Sequence, residues 1–168
     1  MKSLFWIFLC CFISIANAQD AFKGKGDKKY QIGTSLQDNG LGLMGTFDIG
    51  ISNKFSVGAY SSYIFILNKD LNADFQDRFS FKARVNLHLA PMMRNYNFDL
   101  YPGLNIGLKN VGAHLGARYL ISEKTGVFFE ASLPITKFNT NELTPEETLN
   151  NQPILNLGVT FDISYLWH

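Results

Sequence analysis

Arg78-Phe79-Ser80-Phe81-Lys82-Ala83-Arg84-Val85-Asn86-Leu87-His88-Leu89 is the stretch that decides the fold. Phe79, Phe81, Ala83, Val85, Leu87 and Leu89 alternate without a break with Arg78, Ser80, Lys82, Arg84, Asn86 and His88. Successive side chains of a strand point to opposite faces, so this is a strand with one apolar and one charged face. The same period recurs on both sides of it. Strands are predicted from Tyr30 to Gln37, Leu41 to Ile51, Phe55 to Phe65, Phe98 to Lys109, Val111 to Ile121, Val127 to Phe138 and Ile154 to Ile163, the last continuing toward Trp167. Asp38-Asn39-Gly40, Ser52-Asn53-Lys54 and Ser122 to Gly126 supply turn chemistry between them. Only Thr144 to Leu149 admits a helical period as an alternative.

Alternation alone fits a soluble barrel as well as a membrane one, with the faces exchanged. The polar face separates them. Nine of the 14 glycines fall on it: Gly33, Gly42, Gly50, Gly58, Gly103, Gly107, Gly112, Gly116 and Gly158. A water-facing strand gains nothing from glycine, whereas the narrow inside of an eight-stranded barrel needs small residues. The apolar face carries no charge within the strand bodies, as a lipid-facing band requires. The expected fold is therefore all-β, an eight-stranded antiparallel up-and-down transmembrane β-barrel. In lipid, the first strand must close on the eighth, because open edges would leave N–H and C=O groups unpaired. Tyr30, Tyr63, Tyr101, Tyr119, Tyr165 and Trp167 are candidates for aromatic girdles at the two interfaces.

The ends add an export route. Lys2, the apolar run from Leu4 to Ile15 and the small residues Ala16 and Ala18 make residues 1–18 a signal peptide cleaved after Ala18. Residues 19–29 are then a periplasmic leader, with Lys23, Lys25, Lys28 and Lys29, and 30–168 the barrel. Cys10 and Cys11 leave with the peptide, which excludes disulfides and thiol chemistry from the mature chain. Lys2 is one of 15 basic residues, so the mature chain balances 14 basic against 14 acidic, and nucleic acid is not an expected partner. An even strand number puts both termini in the periplasm. The loops at 68–77 and 139–151 then lie outside the cell.

These strands resemble the small eight-stranded outer-membrane barrels, such as the OmpA transmembrane domain and OmpX, over Lys29 to His168. Tyr101-Pro102-Gly103-Leu104-Asn105-Ile106-Gly107 and Gly112-Ala113-His114-Leu115-Gly116-Ala117-Arg118-Tyr119 look like segments of such barrels. Gly158, Phe161, Ile163, Tyr165 and Trp167 resemble the terminal-strand signal read by the barrel-assembly machinery, although His168 follows the last aromatic residue. The resemblance implies location in the outer membrane of a Gram-negative bacterium, contact with lipid and lipopolysaccharide, and a monomer. It indicates fold and assembly route more than activity.

The polar face carries Asp48, Arg78, Lys82, Arg84, His88, Asp99, Lys109, His114, Arg118, Glu130 and Asp162. Such charges fit a salt-bridged plug better than a selectivity ring, since an unpaired charge in a narrow lumen is costly. Arg118 and Glu130 lie equally far from Lys124 and are expected to pair across the sixth and seventh strands. His114, Glu130 and Ser132 lack the His-x-Ser spacing of outer-membrane deacylases, with Gly116 in that place. No catalytic residue, cofactor or metal is expected; His88 and His114 have no third His or Cys nearby. Asp70, Asp74 and Asp77 lack the pattern of a calcium loop. The leading expectation is a structural or surface-interaction protein that acts through its outer loops. The alternatives are a narrow pore and a lipid-modifying enzyme.

Overall fold

The computed structural model describes residues 20–67, 71–93, 97–138 and 144–167. The expected signal peptide and its cleavage point at Ala16 and Ala18 lie outside these residues. Eight strands run in chain order: β1 (Lys28–Gln37), β2 (Gly40–Gly50), β3 (Phe55–Leu67), β4 (Phe79–Leu87), β5 (Phe98–Gly107), β6 (Asn110–Leu120), β7 (Thr125–Lys137) and β8 (Ile154–Asp162). Each pairs antiparallel with the next, and β1 pairs with β8, so the sheet is a closed barrel. Asn39 takes a φ of 63° in the β1–β2 turn, the left-handed conformation that asparagine tolerates. No helix of the described residues is long and apolar enough to cross a membrane.

The alternation of the sequence becomes the inside and outside of this barrel. Leu43, Phe81, Leu104, Leu115, Phe129 and Leu157 point out and are exposed, and every strand contributes such residues. Their neighbours in the chain, Met44, Lys82, Asn105, His114, Glu130 and Asn156, point in and are buried. Outward positions in the strand bodies carry no charge; Lys28 and Lys137 sit only at strand ends. Tyr30, Tyr63, Tyr119 and Tyr165 are exposed, but Tyr101 is not a girdle residue. It occupies an inward position of β5, fully buried, because its number has the parity of Asp99 and Asn105.

Several boundaries differ from the sequence reading, each for a local reason. Phe75–Arg78 forms a single-turn helix, α1, whose Arg78 Nε donates to Ala73 O at 2.9 Å. Ala90–Met93 forms another, α2, started by the Asp99 carboxylate, which accepts the Ala90 N–H at 3.2 Å. Four residues are too few to show a helical period. Thr144 to Leu149 is a run of turns and not a helix. β8 stops at Asp162 instead of continuing toward Trp167. The Asp162 carboxylate accepts the Ser164 N–H at 2.9 Å and turns Ser164–Trp167 into a 3-10 helix. Of the expected terminal-strand signal, Gly158 and Phe161 are therefore in β8, Ile163 just follows it, and Tyr165 and Trp167 have left the strand.

Gly33 stands opposite Gly158 at the β1–β8 seam. A Cβ on Gly158 would run into Ile32 O and the Gly33 Cα, so the seam closes only with hydrogen at both places. Outward Gly45 differs, since a Cβ there meets nothing nearer than 3.6 Å. Gly158→Val is therefore expected to cost at least ~3 kcal/mol in unfolding free energy through overpacking. Gly45→Val should change it by less than ~1 kcal/mol, with both read from denaturant melts of the far-ultraviolet β signal.

Candidate functional site in the barrel lumen

Nine of the eleven residues expected on the polar face lie inside the barrel. Asp48, Lys82, Arg84, His88, Asp99, His114, Arg118, Glu130 and Asp162 are all buried there. Arg78 and Lys109 are not. Arg78 ends α1, and Lys109 lies in the β5–β6 turn, where it pairs with Asp77 at 3.4 Å.

The central layer is built around Arg84. Its Nη2 donates to Glu130 Oε2 at 2.8 Å across the lumen, and its Nε lies 3.3 Å from Asp48. Gly58 makes the second contact possible: it is in register with both Asp48 and Arg84, and lets residues two strands apart meet over it. Gly103 plays the same part between Asn86 and His114, whose Nε2 lies 2.7 Å from Asn86 Oδ1. Gly116 is flanked by Tyr101 and Glu130, and a Cβ on it would enter the Tyr101 ring. The expected Arg118–Glu130 pair is not made. The β6–β7 register places Gly116 opposite Glu130 and Phe128 opposite Arg118. Arg118 instead pairs with Asp99, directly across from it on β5, with Nε at 3.3 Å. Its guanidinium lies 4.5 Å over the Tyr101 ring.

Segments of the same chain fill both ends. At the end where β1 begins, Ala21 and Phe22 are buried, and the Phe22 ring stacks on His88 at 3.6 Å and 10°. Lys29, expected in the leader, belongs to β1 and points in. Its Nζ donates to Asp27 at 2.8 Å and to Asp162 at 2.9 Å, the residue opposite it across the seam. Lys23 reaches the same Asp162 at 2.6 Å. Partial burial works against the Lys23 ammonium, but the Asp162 carboxylate outweighs it and raises its pKa.

At the opposite end, Leu149, Asn150 and Asn151 fold into the mouth and are buried. Asn150 has a φ of 62°, and its Nδ2 donates to Asp77 O at 2.9 Å and to Arg78 O at 3.2 Å. Asn110 Nδ2 donates to Asn150 O at 3.0 Å and to Asn151 Oδ1 at 2.8 Å. The loop expected to offer residues 139–151 to a partner thus spends its last three on the barrel. Residues 139–143 lie outside the described part, as do 68–70, which include Asp70. Between the two plugs, a cavity of about 10 Å³ beside Lys82, Arg84, His114 and Glu130 has room for one water at most.

Sequence reasoning singled out most of the charged members but left Lys29 in the leader, and it did not single out the neutral residues that join them. Gln31, Ser56, Asn86, Tyr101 and Asn105 were legible as inward by parity alone. Ser132 donates to Ala113 O at 3.4 Å, and both His114 nitrogens face asparagine side chains, so these two form no nucleophile–base pair. Glu130→Gln should destabilise the barrel by roughly 3 kcal/mol, because Arg84 loses a buried partner. Removing all three charges with Asp48→Ala, Arg84→Met and Glu130→Gln should recover most of that loss, measured by denaturant unfolding.

Among solved structures, a barrel described as "De novo design of transmembrane beta-barrels" matches with a TM-score of 0.56 and 11% identity, covering 84% of this chain and 98% of that one. A de novo designed barrel solved by solution NMR, TMB2.3, matches with a TM-score of 0.48 and 16% identity, covering 84% and 97%. The first likeness shows the same fold. Neither establishes kinship with OmpA or OmpX. No curated protein matches the chain. The profile of a family described as "Family of unknown function (DUF6646)" matches residues 11–163.

Proposed function

The chain belongs to DUF6646, a family of unknown function, and from that premise we propose that it is a small outer-membrane barrel protein with a filled lumen. One observation carries this reading. The barrel exposes apolar side chains on the outer side of all eight strands and buries its charges within. In water such a surface would be a large continuous apolar patch, which soluble monomers avoid. In a bilayer it is the required outer face.

Two sets of aromatic residues bound that face. Tyr30, Phe47 and Tyr119 lie toward the end of the chain termini, while Tyr63, Phe75 and Phe79 cluster toward the other, with Tyr63–Phe75 and Phe75–Phe79 centroids 5.7 and 5.5 Å apart. Export by residues 1–18 places the terminal end in the periplasm and the α1 and β7–β8 loops outside. The partners are then outer-membrane lipid and lipopolysaccharide, with the barrel-assembly machinery acting during insertion. The barrel serves as a monomeric structural or surface-interaction protein through the exposed part of those loops, a role that in itself requires no catalysis, cofactor or metal. The plugs at both ends favour this over a pore.

The protein should fractionate with the outer membrane and run faster on gels unboiled than boiled; recovery from the soluble periplasm would refute the assignment. Leu115→Arg, on the outer face of β6, should cost ~2–4 kcal/mol of folding free energy in bilayers. A soluble barrel would tolerate it. Planar bilayers holding the wild type should show no steady conductance steps.

A further inference from the structure

Ser56, His88 and Asp99 stand in line beneath the leader. Asp99 Oδ2 lies 2.7 Å from His88 Nδ1, and His88 Nε2 lies 2.8 Å from Ser56 Oγ. A carboxylate at Nδ1 keeps the proton there and leaves Nε2 to accept from the Ser56 hydroxyl. Nucleophile, base and orienting acid thus follow one another in the order and on the ring atoms that acyl transfer uses. They come from adjoining places in the sheet: the start of β3, the residue after β4 and the start of β5. Asp99 is fixed by the Ala90 N–H at 3.2 Å and by Arg118 Nε at 3.3 Å. Asn86 Nδ2 donates to Ser56 Oγ at 2.9 Å, which puts an amide donor beside the nucleophile.

A short segment of the leader covers this line. Phe22 lies flat on His88, and the chain then passes through Gly24 and Gly26, at φ 87° and 88°, before β1. From Gly26 on the backbone is tied to β2, with Gly26 N donating to Gly50 O at 2.8 Å and Gly50 N to Asp27 O at 2.7 Å, while Asp27 N donates back to Gly24 O at 3.1 Å. Before the two glycines, the chain meets the barrel through side chains: Ala21 and Phe22 are buried in the mouth, Phe22 stacks on His88, and Lys23 pairs with Asp162. Residues 20–23 can therefore swing away while the barrel stays closed.

We propose that Ser56, His88 and Asp99 form a second, catalytic site for small acyl esters, covered by residues 20–23 and opened when they swing out. Ser56 Oγ attacks the ester carbonyl as its proton passes to His88 Nε2. The tetrahedral adduct collapses, the ester C–O bond breaks, and His88 returns the proton to the leaving alcohol. Water then repeats the sequence on the acyl-Ser56 bond, releasing the acid and restoring the serine. Ser56 and His88 are the catalytic residues, and Asp99 is a positioning residue acting through His88. This goes beyond the membrane role, and folded protein in detergent suffices to test it.

The experiment treats refolded full-length barrel with a small alkyl fluorophosphonate and maps adducts by mass spectrometry. Phe22→Ala with Lys23→Ala releases the cover, and adduct formation at Ser56 should rise by at least ~10-fold over wild type as the open population grows. Ser56→Ala in that background should abolish it. Asp99→Asn should lower the rate by at least ~100-fold and flatten its rise with pH, although the barrel still shows its folded gel mobility. Ser56→Cys in the same background reports access through alkylation by iodoacetamide. A thiol that reacts, beside a serine that does not take the phosphonate, overturns the catalytic assignment. A thiol that stays unreactive overturns the movable cover. Equal labelling with and without Asp99→Asn overturns the triad.

Discussion

The inside of an eight-stranded barrel is only wide enough for side chains to fill, so no inward residue can be chosen without regard to the ones beside it. Here the conflict is settled by glycine on the strand between two larger partners. Asp48 and Arg84 meet over Gly58, and Asn86 and His114 meet over Gly103. The glycines that look like a compositional oddity are thus the spaces through which the polar network is wired. Because these two bonds join strands two apart and Arg84–Glu130 joins β4 to β7, the network ties the sheet together around its circumference as well as along its ladders. A charge buried at this depth is tolerable only with such partners in place.

The two plugs extend the same logic to the ends. Each is made from the chain's own segment, and each meets the barrel through buried polar groups: Lys29 with Asp27 and Asp162 at one mouth, Asn110 with Asn150 and Asn151 at the other. They differ in how they are held. The Asn150 plug is fixed through backbone carbonyls of α1, while the leader before Gly24 is held by a ring stack and one ion pair. The leader end is also the end with the Ser–His–Asp line.

Much of this is legible in the sequence, and the losses have separate physical causes. Period two assigns a face to every strand residue, and the faces of β1, β2 and β4 emerge as read. It does not assign partners. The β6–β7 turn was centred on Lys124, whereas Leu120 opposite Gly126 centres it on Glu123. Moving the centre by one residue moves every partner by two. Arg118 and Glu130 therefore keep their face and lose each other. Lys29 was lost differently, because β1 begins two residues earlier than its apolar pattern does. Parity marks Ser56 as inward but not its partners, and Phe22 carries no signal at all: an inward serine and an aromatic in a leader gain meaning only when the sheet closes.

Asp162 has a consequence for the order of events during folding. It belongs to the last strand, yet it accepts both Lys29 from the first and Lys23 from the leader. The Asp162 anchor that Lys23 shares with Lys29 is not complete until β8 has joined β1, a contact that spans 133 residues of chain. Pairings so distant in sequence form slowly. The leader, which is made before any strand, can therefore complete its docking only after the final seam has zipped shut.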